Sequence, residues 1–271
     1  MTIASPAPWP DLLIEHPEPA VVVLTLNRPK ARNALSMSLI EALHRAIADV
    51  ANDARVAAVV IAANGPVYSA GHDLKEMTAH RADADGGRAF FELTMSSCAA
   101  LMQAIVACPK PVIAAVQGTA TAAGCQLVAT CDLAIAADTA EFGTPGVNIG
   151  LFCSTPMVAL SRNVPRKQAM EMLLLGESMP ACDAAKYGLI NRAVPAGRVH
   201  GEALSMAHSI ASKSKATVAI GKQAFYRQIE RPLSEAYGFA AGVMVQNMMI
   251  TDANEGISAF VEKRPAVWKD R

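Results

Sequence analysis

The sequence predicts an α/β fold with much parallel strand pairing, followed by a purely helical C-terminal region. Three observations predict it: four apolar runs rich in β-branched residues, helical patterns between them, and the loss of strand signals beyond about Pro195. Unbroken apolar runs suit strands buried on both faces, as in a parallel sheet covered by helices. The runs are AVVVLTL from Ala20, VAAVVIAA from Val56, PVIAAVQG from Pro111 and DLAIAAD from Asp132, which itself reads as a structural residue opening its strand. A helix from Ser36 to about Val50 opens on a serine N-cap and places Leu39, Leu43, Ile47 and Val50 on one face. A longer helix, about Arg88 to Cys108, carries Phe91, Met95, Leu101, Met102 and Ile105. Four further helical patterns cover 200 to 214, 216 to 229, 232 to 250 and 252 to 261. The composition shift divides the chain into a core over 1–195 and a helical region over 196–271. In that region GVMVQNMMI (242–250) is apolar around much of its circumference, which suits a buried helix or one between subunits.

Composition narrows the partners. Hydrophobic residues make up 52% and charged residues 18%, below the usual ~25%, so much surface is expected to be covered, against other copies included. With 24 acidic and 24 basic residues there is no basic field for nucleic acid and no long like-charge run to hold a membrane surface. No apolar run reaches the ~18 residues needed to span a bilayer. Six cysteines (98, 108, 125, 131, 153 and 182) form no C-x-x-C pair and no metal-ligand spacing, so no metal is expected and the thiols read as buried in a reducing compartment. MTIASPAPWPDLL has neither the basic start and apolar stretch of a signal peptide nor an arginine for a presequence, from which a cytoplasmic protein is expected.

Two turns carry the chemistry. In KPVIAAVQGTATAAGCQLVATCD (110–132) a β-branched run breaks into a Gly/Ala stretch that opens a helix. The small side chains from Gly118 to Gly124 leave backbone N–H groups bare, and a helix N-terminus adds about half a positive charge there. That suits an anion or a developing oxyanion. The second turn, Tyr68 to Lys75 (YSAGHDLK), follows the other long apolar run, so two turns after two strands supply two convergent donors.

These segments, with NRPKARNALS (27–36), SAGHDLKEM (69–77), EFGTPGVNIGL (141–151) and EGISAFVEKRPAVWKD near the end, resemble the crotonase (enoyl-CoA hydratase/isomerase) superfamily in order and along nearly the whole chain. The resemblance implies a spiral of ββα units and a C-terminal region that packs homo-trimers, often paired into hexamers. It also implies an acyl-CoA thioester as partner, with coenzyme A entering as part of the substrate and no permanently bound cofactor. The thioester carbonyl would sit between the backbone N–H groups of His72 and Ala123, the latter standing where many relatives have Gly. Lys30, Arg32, Ala70, Asp73, Leu74, Lys75, Phe260 and Lys263 match positions that surround the coenzyme in relatives.

The departures from the pattern matter as much. Hydratases of the family have Glu in the Cys-Glu-Leu triplet and again after the Pro of the later loop, and here those positions are Gln126 and Gly146. Hydration needs one group to deprotonate water and one to protonate the α-carbon, each worth roughly 10²- to 10⁴-fold, and neither an amide nor a glycine transfers protons near pH 7. Little ordinary hydratase activity is therefore expected, and Gln126→Glu with Gly146→Glu is expected to raise it. Cys153, just after that loop, reads equally as a reactive thiol or a buried one. The stretches TATAAGCQLVATCDLAIA and TPGVNIGLFCSTP most resemble the enoyl-CoA hydratase domain-containing branch 3, whose mitochondrial members share the Gln and Gly. Two functional classes stay open. One is an enzyme that stabilises a thioester enolate with other proton-transfer groups, such as a decarboxylase or isomerase; some decarboxylating relatives also look like Ser-Ala-Gly-His-Asp and lack both acids. The other is a non-catalytic acyl-CoA binder.

Overall fold

The apolar runs form the middle of a six-stranded sheet. In the computed structural model, which describes residues 9–271, the elements begin with β1 (Leu12–Glu18), β2 (Val21–Leu26), α1 (Met37–Asn52), β3 (Ala58–Ala63), β4 (Val67–Ser69), α2 (Leu74–Ala79) and α3 (Arg88–Ala107). There follow β5 (Val112–Val116), β6 (Thr119–Thr121), α4 (Ala123–Thr130), β7 (Leu133–Ala137) and β8 (Glu141–Gly143). Next come α5 (Pro156–Asn163), α6 (Arg166–Leu175), β9 (Ser178–Pro180), α7 (Ala181–Lys186) and β10 (Arg192–Val194). The chain closes with α8 (Val199–Ala211), α9 (Lys215–Gln228), α10 (Leu233–Met248) and α11 (Thr251–Glu262). The large sheet runs β1-β2-β3-β5-β7-β10, parallel except for the β1/β2 hairpin. A smaller sheet runs β4-β6-β8-β9.

Successive strands alternate between the sheets. β3, β5 and β7 each lie in the large sheet, and each is followed by a short strand of the small sheet (β4, β6, β8) and then by helix. This is the ββα unit of the crotonase fold, and it carries the chain after each pair to the same end of the molecule. VIAAV of β5 is wholly buried, as continuous apolar strands covered on both faces should be. α8 covers one face, packing on β2, β3, β5 and β7 through the small buried residues Val199, Ala203 and Ala207.

The expected helices form close to their expected limits. Ser36 caps α1, its Oγ accepting from Leu39 N at 3.3 Å, and Leu39, Leu43, Ile47 and Val50 are buried. In α3 the buried stripe is Thr94, Cys98, Leu101, Met102 and Ile105, while Phe91 and Met95 are only half-buried. α3 corrects one expectation: over Arg88–Ala107 it is long and apolar enough to cross a membrane by length and composition. In this fold it packs against α1 instead. The reading of MTIASPAPWPDLL falls mostly on residues 1–8, outside the described residues.

α9, α10 and α11 pack on one another, and their outer faces are apolar. Leu233, Tyr237, Met244, Val245, Met249, Phe260 and Val261 are each more than half exposed. A buried ion pair anchors α9 to the sheet: Lys222 Nζ reaches Asp132 Oδ2 at 2.6 Å and also donates to the carbonyls of Ile105 and Lys110. Asp132 in turn accepts from Val112 N and from the Tyr226 hydroxyl, which accounts for an aspartate at the mouth of β7.

Candidate active site

The first turn is built by a buried asparagine. Asn33, in the left-handed region at φ 50°, donates from Nδ2 to the carbonyls of Asn64 and Val67 and accepts Arg28 N at its Oδ1. Ser69 Oγ donates to Asn33 O at 2.9 Å, joining this segment to the end of β4. The N–H groups that follow are then used in order. Ala70 N donates to Arg32 O, Gly71 N to Ser69 Oγ and Asp73 N to Leu35 O, while Leu35 N donates to Gly71 O. Between them the N–H of His72 has no acceptor among the described residues.

The second donor lies at the start of α4. Ala123 is the first residue of that helix, where the backbone N–H has no intrahelical acceptor, and among the described residues it finds none elsewhere. Ala122 before it sits at φ 49°, ψ −120°, a conformation that costs a non-glycine residue on the order of 1–3 kcal/mol. It is held there by Ala122 N donating to Gly143 O at 2.9 Å and by Gln126 N donating to Ala122 O at 3.0 Å. The two turns touch. A Cβ added to Gly71, at φ +90°, would stand 2.8 Å from Ala122 Cβ and 3.2 Å from Ala123 N. Glycine is required at 71 both for its dihedral angle and for this approach.

The side chains around these donors are neutral and poorly partnered. His72 Nε2 is buried without a partner, and burial lowers the imidazole pKa, which keeps the ring uncharged at neutral pH. Gln126 is 4% exposed and its Oε1 has no partner. Thr144, fully buried just past β8, has an unpartnered hydroxyl. Gly146 corrects the expectation that a glutamate can simply be restored there. Its added Cβ would lie 2.5 Å from Leu151 O and 2.9 Å from Cys153 Sγ, and Leu151 N donates back to Gly146 O, so the loop is closed over the space a side chain would need. Cys153 helps fill that space; burial pushes its thiol up, opposed by the Gly146 N–H, so it rests as a thiol. Cys125 is buried and pushed up to about 12 by desolvation, with Cys153 adding to the shift.

The positions matched to the coenzyme divide into two groups. Lys30, Arg32, Leu74 and Lys75 are exposed on the rim formed by the turns at 28–35 and 69–75, beside Ala70. Asp73 belongs to the framework. It caps α2 by accepting Lys75 N and Glu76 N, and it pairs with Arg28 Nη2 at 3.0 Å. Burial works against its charge, yet the Arg28 guanidinium and those N–H groups hold the carboxyl below its usual range. Phe260 and Lys263 lie at the end of α11, which packs on α9 and α10 rather than on the turns bearing His72 and Ala123. Two cavities of about 490 and about 380 Å³ lie among α8 to α11 and beneath α9, and neither is lined by His72, Ala123 or Gln126. Sequence reading missed Asn33, Ala122 and Thr144. Of these only Asn33 carries a local signal, since asparagine tolerates the left-handed region.

Alternating ββα units of this kind mark a class of protein, and comparison with known families agrees. Residues 17–271 match the family model described as Enoyl-CoA hydratase/isomerase, and the chain belongs to that family. It is 44% identical over 265 residues to the rat protein named enoyl-CoA hydratase domain-containing protein 3, mitochondrial, covering 98% of this chain and 87% of the relative. The crystal structure of human enoyl Coenzyme A hydratase domain-containing protein 3 superposes with a TM-score of 0.90 at 42% identity, over 95% of this chain and all of that one. An enoyl-CoA hydratase structure from Mycobacterium smegmatis gives 0.91 at 51% identity, over 96% of this chain and 99% of that one. The vertebrate names also correct the expectation of a cytoplasmic protein, because the rat and human relatives are named mitochondrial.

Proposed function

We propose that this protein binds an acyl-CoA thioester with the thioester oxygen between the N–H groups of His72 and Ala123, and that it stabilises the enolate formed there. The observation that carries this reading is that these two N–H groups go unused where the turns meet, while the neighbouring N–H groups at 70, 71, 73 and 122 all donate within the fold. An oxyanion hole of this kind contributes roughly 3–4 kcal/mol per donor to a transition state. Water addition of the ordinary kind is disfavoured, because Gln126 and Gly146 offer no proton. The chemistry retained is that of a thioester enolate, as in decarboxylation or double-bond isomerisation, with the neutral imidazole of His72 carried by the residue that supplies one of the two donors. A non-catalytic acyl-CoA binder is the second reading, favoured by the absence of a transferable proton at Gln126 and Gly146. Exposed apolar residues on α10 and α11 support self-association through the C-terminal helices into a trimer or hexamer.

The test is calorimetric affinity for a non-hydrolysable acyl-CoA together with turnover over an acyl-CoA panel. His72→Ala keeps the N–H and should bind within about twofold of wild type, whereas His72→Pro removes the donor and should weaken binding. Turnover lost in His72→Ala with binding intact would assign the imidazole a proton-transfer role. A folded proline variant that binds as tightly as wild type refutes His72 as an oxyanion donor.

A further inference from the structure

A trans peptide holds its N–H opposite its C=O, so the direction of a backbone donor is set by whatever grips the carbonyl of the same plane. For His72 that carbonyl is Gly71 O, which accepts Leu35 N at 2.8 Å, and for Ala123 it is Ala122 O, which accepts Gln126 N at 3.0 Å. Gly71 lies at φ +90°, and glycine turns freely there unless the peptide on its other side is gripped as well. Ser69 supplies that grip: its Oγ accepts Gly71 N at 3.3 Å and donates to Asn33 O at 2.9 Å. The other bonds along 70–73, from Ala70 N to Arg32 O, Leu35 N to Gly71 O and Asp73 N to Leu35 O, are main chain to main chain. Ser69 also meets the segment of the second donor. A Cβ added to Gly124, the residue after Ala123, would stand 2.3 Å from Ser69 O and 2.7 Å from Ser69 Cβ. Ser69 is wholly buried, so water does not replace its two hydrogen bonds if the hydroxyl is lost.

We propose that Ser69 is a positioning residue for this site, its hydroxyl fixing the peptide of Gly71 and His72 so that the His72 N–H and the Ala123 N–H point at one oxygen. This rests on the acyl-CoA reading above and adds to it the side chain that sets the donor geometry. The hydroxyl is spent inside the protein, on Asn33 O and Gly71 N, and acts on a ligand only through the main chain. Without it the 71–72 peptide is free to turn about Gly71, and a hydrogen bond weakens steeply once its angle falls toward ~120°. Charge on the oxygen suffers most from that loss, because charge-assisted bonds are roughly twice as strong as neutral ones.

The probe is acetoacetyl-CoA, which loses its α-proton to the buffer and as the enolate carries the charge on its carbonyl oxygens and absorbs in the near ultraviolet. Wild type is expected to lower the pH at which half of the bound thioester is enolate, relative to the free thioester. In Ser69→Ala that pH should rise by about one unit, an about tenfold loss of enolate stabilisation, while calorimetric affinity for butyryl-CoA stays within about threefold of wild type. Lys222→Met loosens the fold at the start of β5, where Asp132 holds Val112 N, and should keep the wild-type half-enolate pH; this separates positioning from lost stability. Ser69→Cys keeps a weaker donor and acceptor in place and should fall between wild type and alanine, and it is read alone if the alanine variant does not fold. A wild-type half-enolate pH in the folded Ser69 variant, or an equal rise in Lys222→Met, overturns the proposal and leaves the acyl-CoA reading standing. If wild type itself produces no shift, that reading fails and the proposal falls with it.

Discussion

Restoring the two missing glutamates is the most direct perturbation of this site, and the structure separates its two halves. Gln126→Glu is isosteric and enters a position already occupied by a planar side chain. Gly146→Glu is different, because the clash begins at Cβ: 2.5 Å from the backbone oxygen of Leu151 and 2.9 Å from Cys153 Sγ. A backbone carbonyl engaged in the loop's own turn does not move aside as a side-chain tip does. Overpacking costs typically about 1–3 kcal/mol, and the upper end is expected here. For a chain of this size, at roughly 2–4 °C per kcal/mol, that is a fall of about 6–12 °C in melting temperature. Gly146→Ala should show most of it, since the first added carbon makes the contact. Hydration of crotonyl-CoA, followed by loss of the conjugated enoyl thioester absorbance, should stay low in Gln126→Glu, which still lacks its second proton-transfer group. The double variant should gain little unless the 145–153 loop opens. The reasoning is refuted by a Gly146→Ala protein that melts within 1 °C or so of wild type, or by efficient hydration in the unmodified protein.

Two further outcomes follow from the packing. Lys222→Met strands the Asp132 carboxylate beneath α9; breaking one partner of a buried pair costs about 3–5 kcal/mol, so a melting temperature roughly 10 °C lower is expected by calorimetry, and an unchanged one would show that water reaches Asp132. The C-terminal segment is clamped by carboxylates: Glu255, lowered to about 2 by Arg264 and the Val267 N–H, and Asp252, whose burial is outweighed by Ser214 and the N–H groups of Lys269 and Asp270. Groups depressed in the folded state stabilise it above their unfolded values and cease to as pH falls through the folded ones. Release is thus expected as pH drops from about 4.5 toward about 2, read from the fluorescence of Trp268, whose Nε1 donates to Ser212 O in the closed arrangement. A Trp268 signal flat across that window, in a protein still folded, would refute the clamp.

The large elements were legible because their cause is local. β2, β3, β5 and β7 are continuous apolar runs, and α1 announces its start with Ser36 and its face with Leu39, Leu43, Ile47 and Val50. The short strands were not, because three residues such as Val67–Ser69 or Thr119–Thr121 are too few to display a period; their pairing comes from where the long strands deliver them. β1 was hidden differently. It is an edge strand with Pro17, a register break between Glu15 and Glu18, and only Leu12 buried. At the site, the two small-residue turns were readable because bare backbone requires Gly and Ala. The strained Ala122 was not, since alanine is a poor residue for positive φ and the bonds to Gly143 and Gln126 that hold it there come from the fold. Nor was the closure at Gly146 readable, because the atoms that block it belong to Leu151 and Cys153, which reach it by the fold of their own loop.

That closure bears on how such a site diverges. The oxyanion hole proposed above, made of main-chain N–H groups, would need the backbone path at 69–73 and 122–123 and, Ser69 apart, little of the side chains there, so it would survive side-chain replacement. Proton transfer by carboxylates depends on the side chains themselves. Once position 146 lacks a side chain, Leu151 O and Cys153 Sγ can stand where one would be, and no single substitution then restores the acid without displacing them. Gln126 meanwhile keeps the shape of a glutamate without its proton equilibrium, leaving Oε1 buried and unanswered. The two replacements thus differ in kind: one closes space and the other preserves a hydrogen-bonding surface. It follows that stability should respond to Gly146 far more than to Gln126, with little change in affinity for the coenzyme at either.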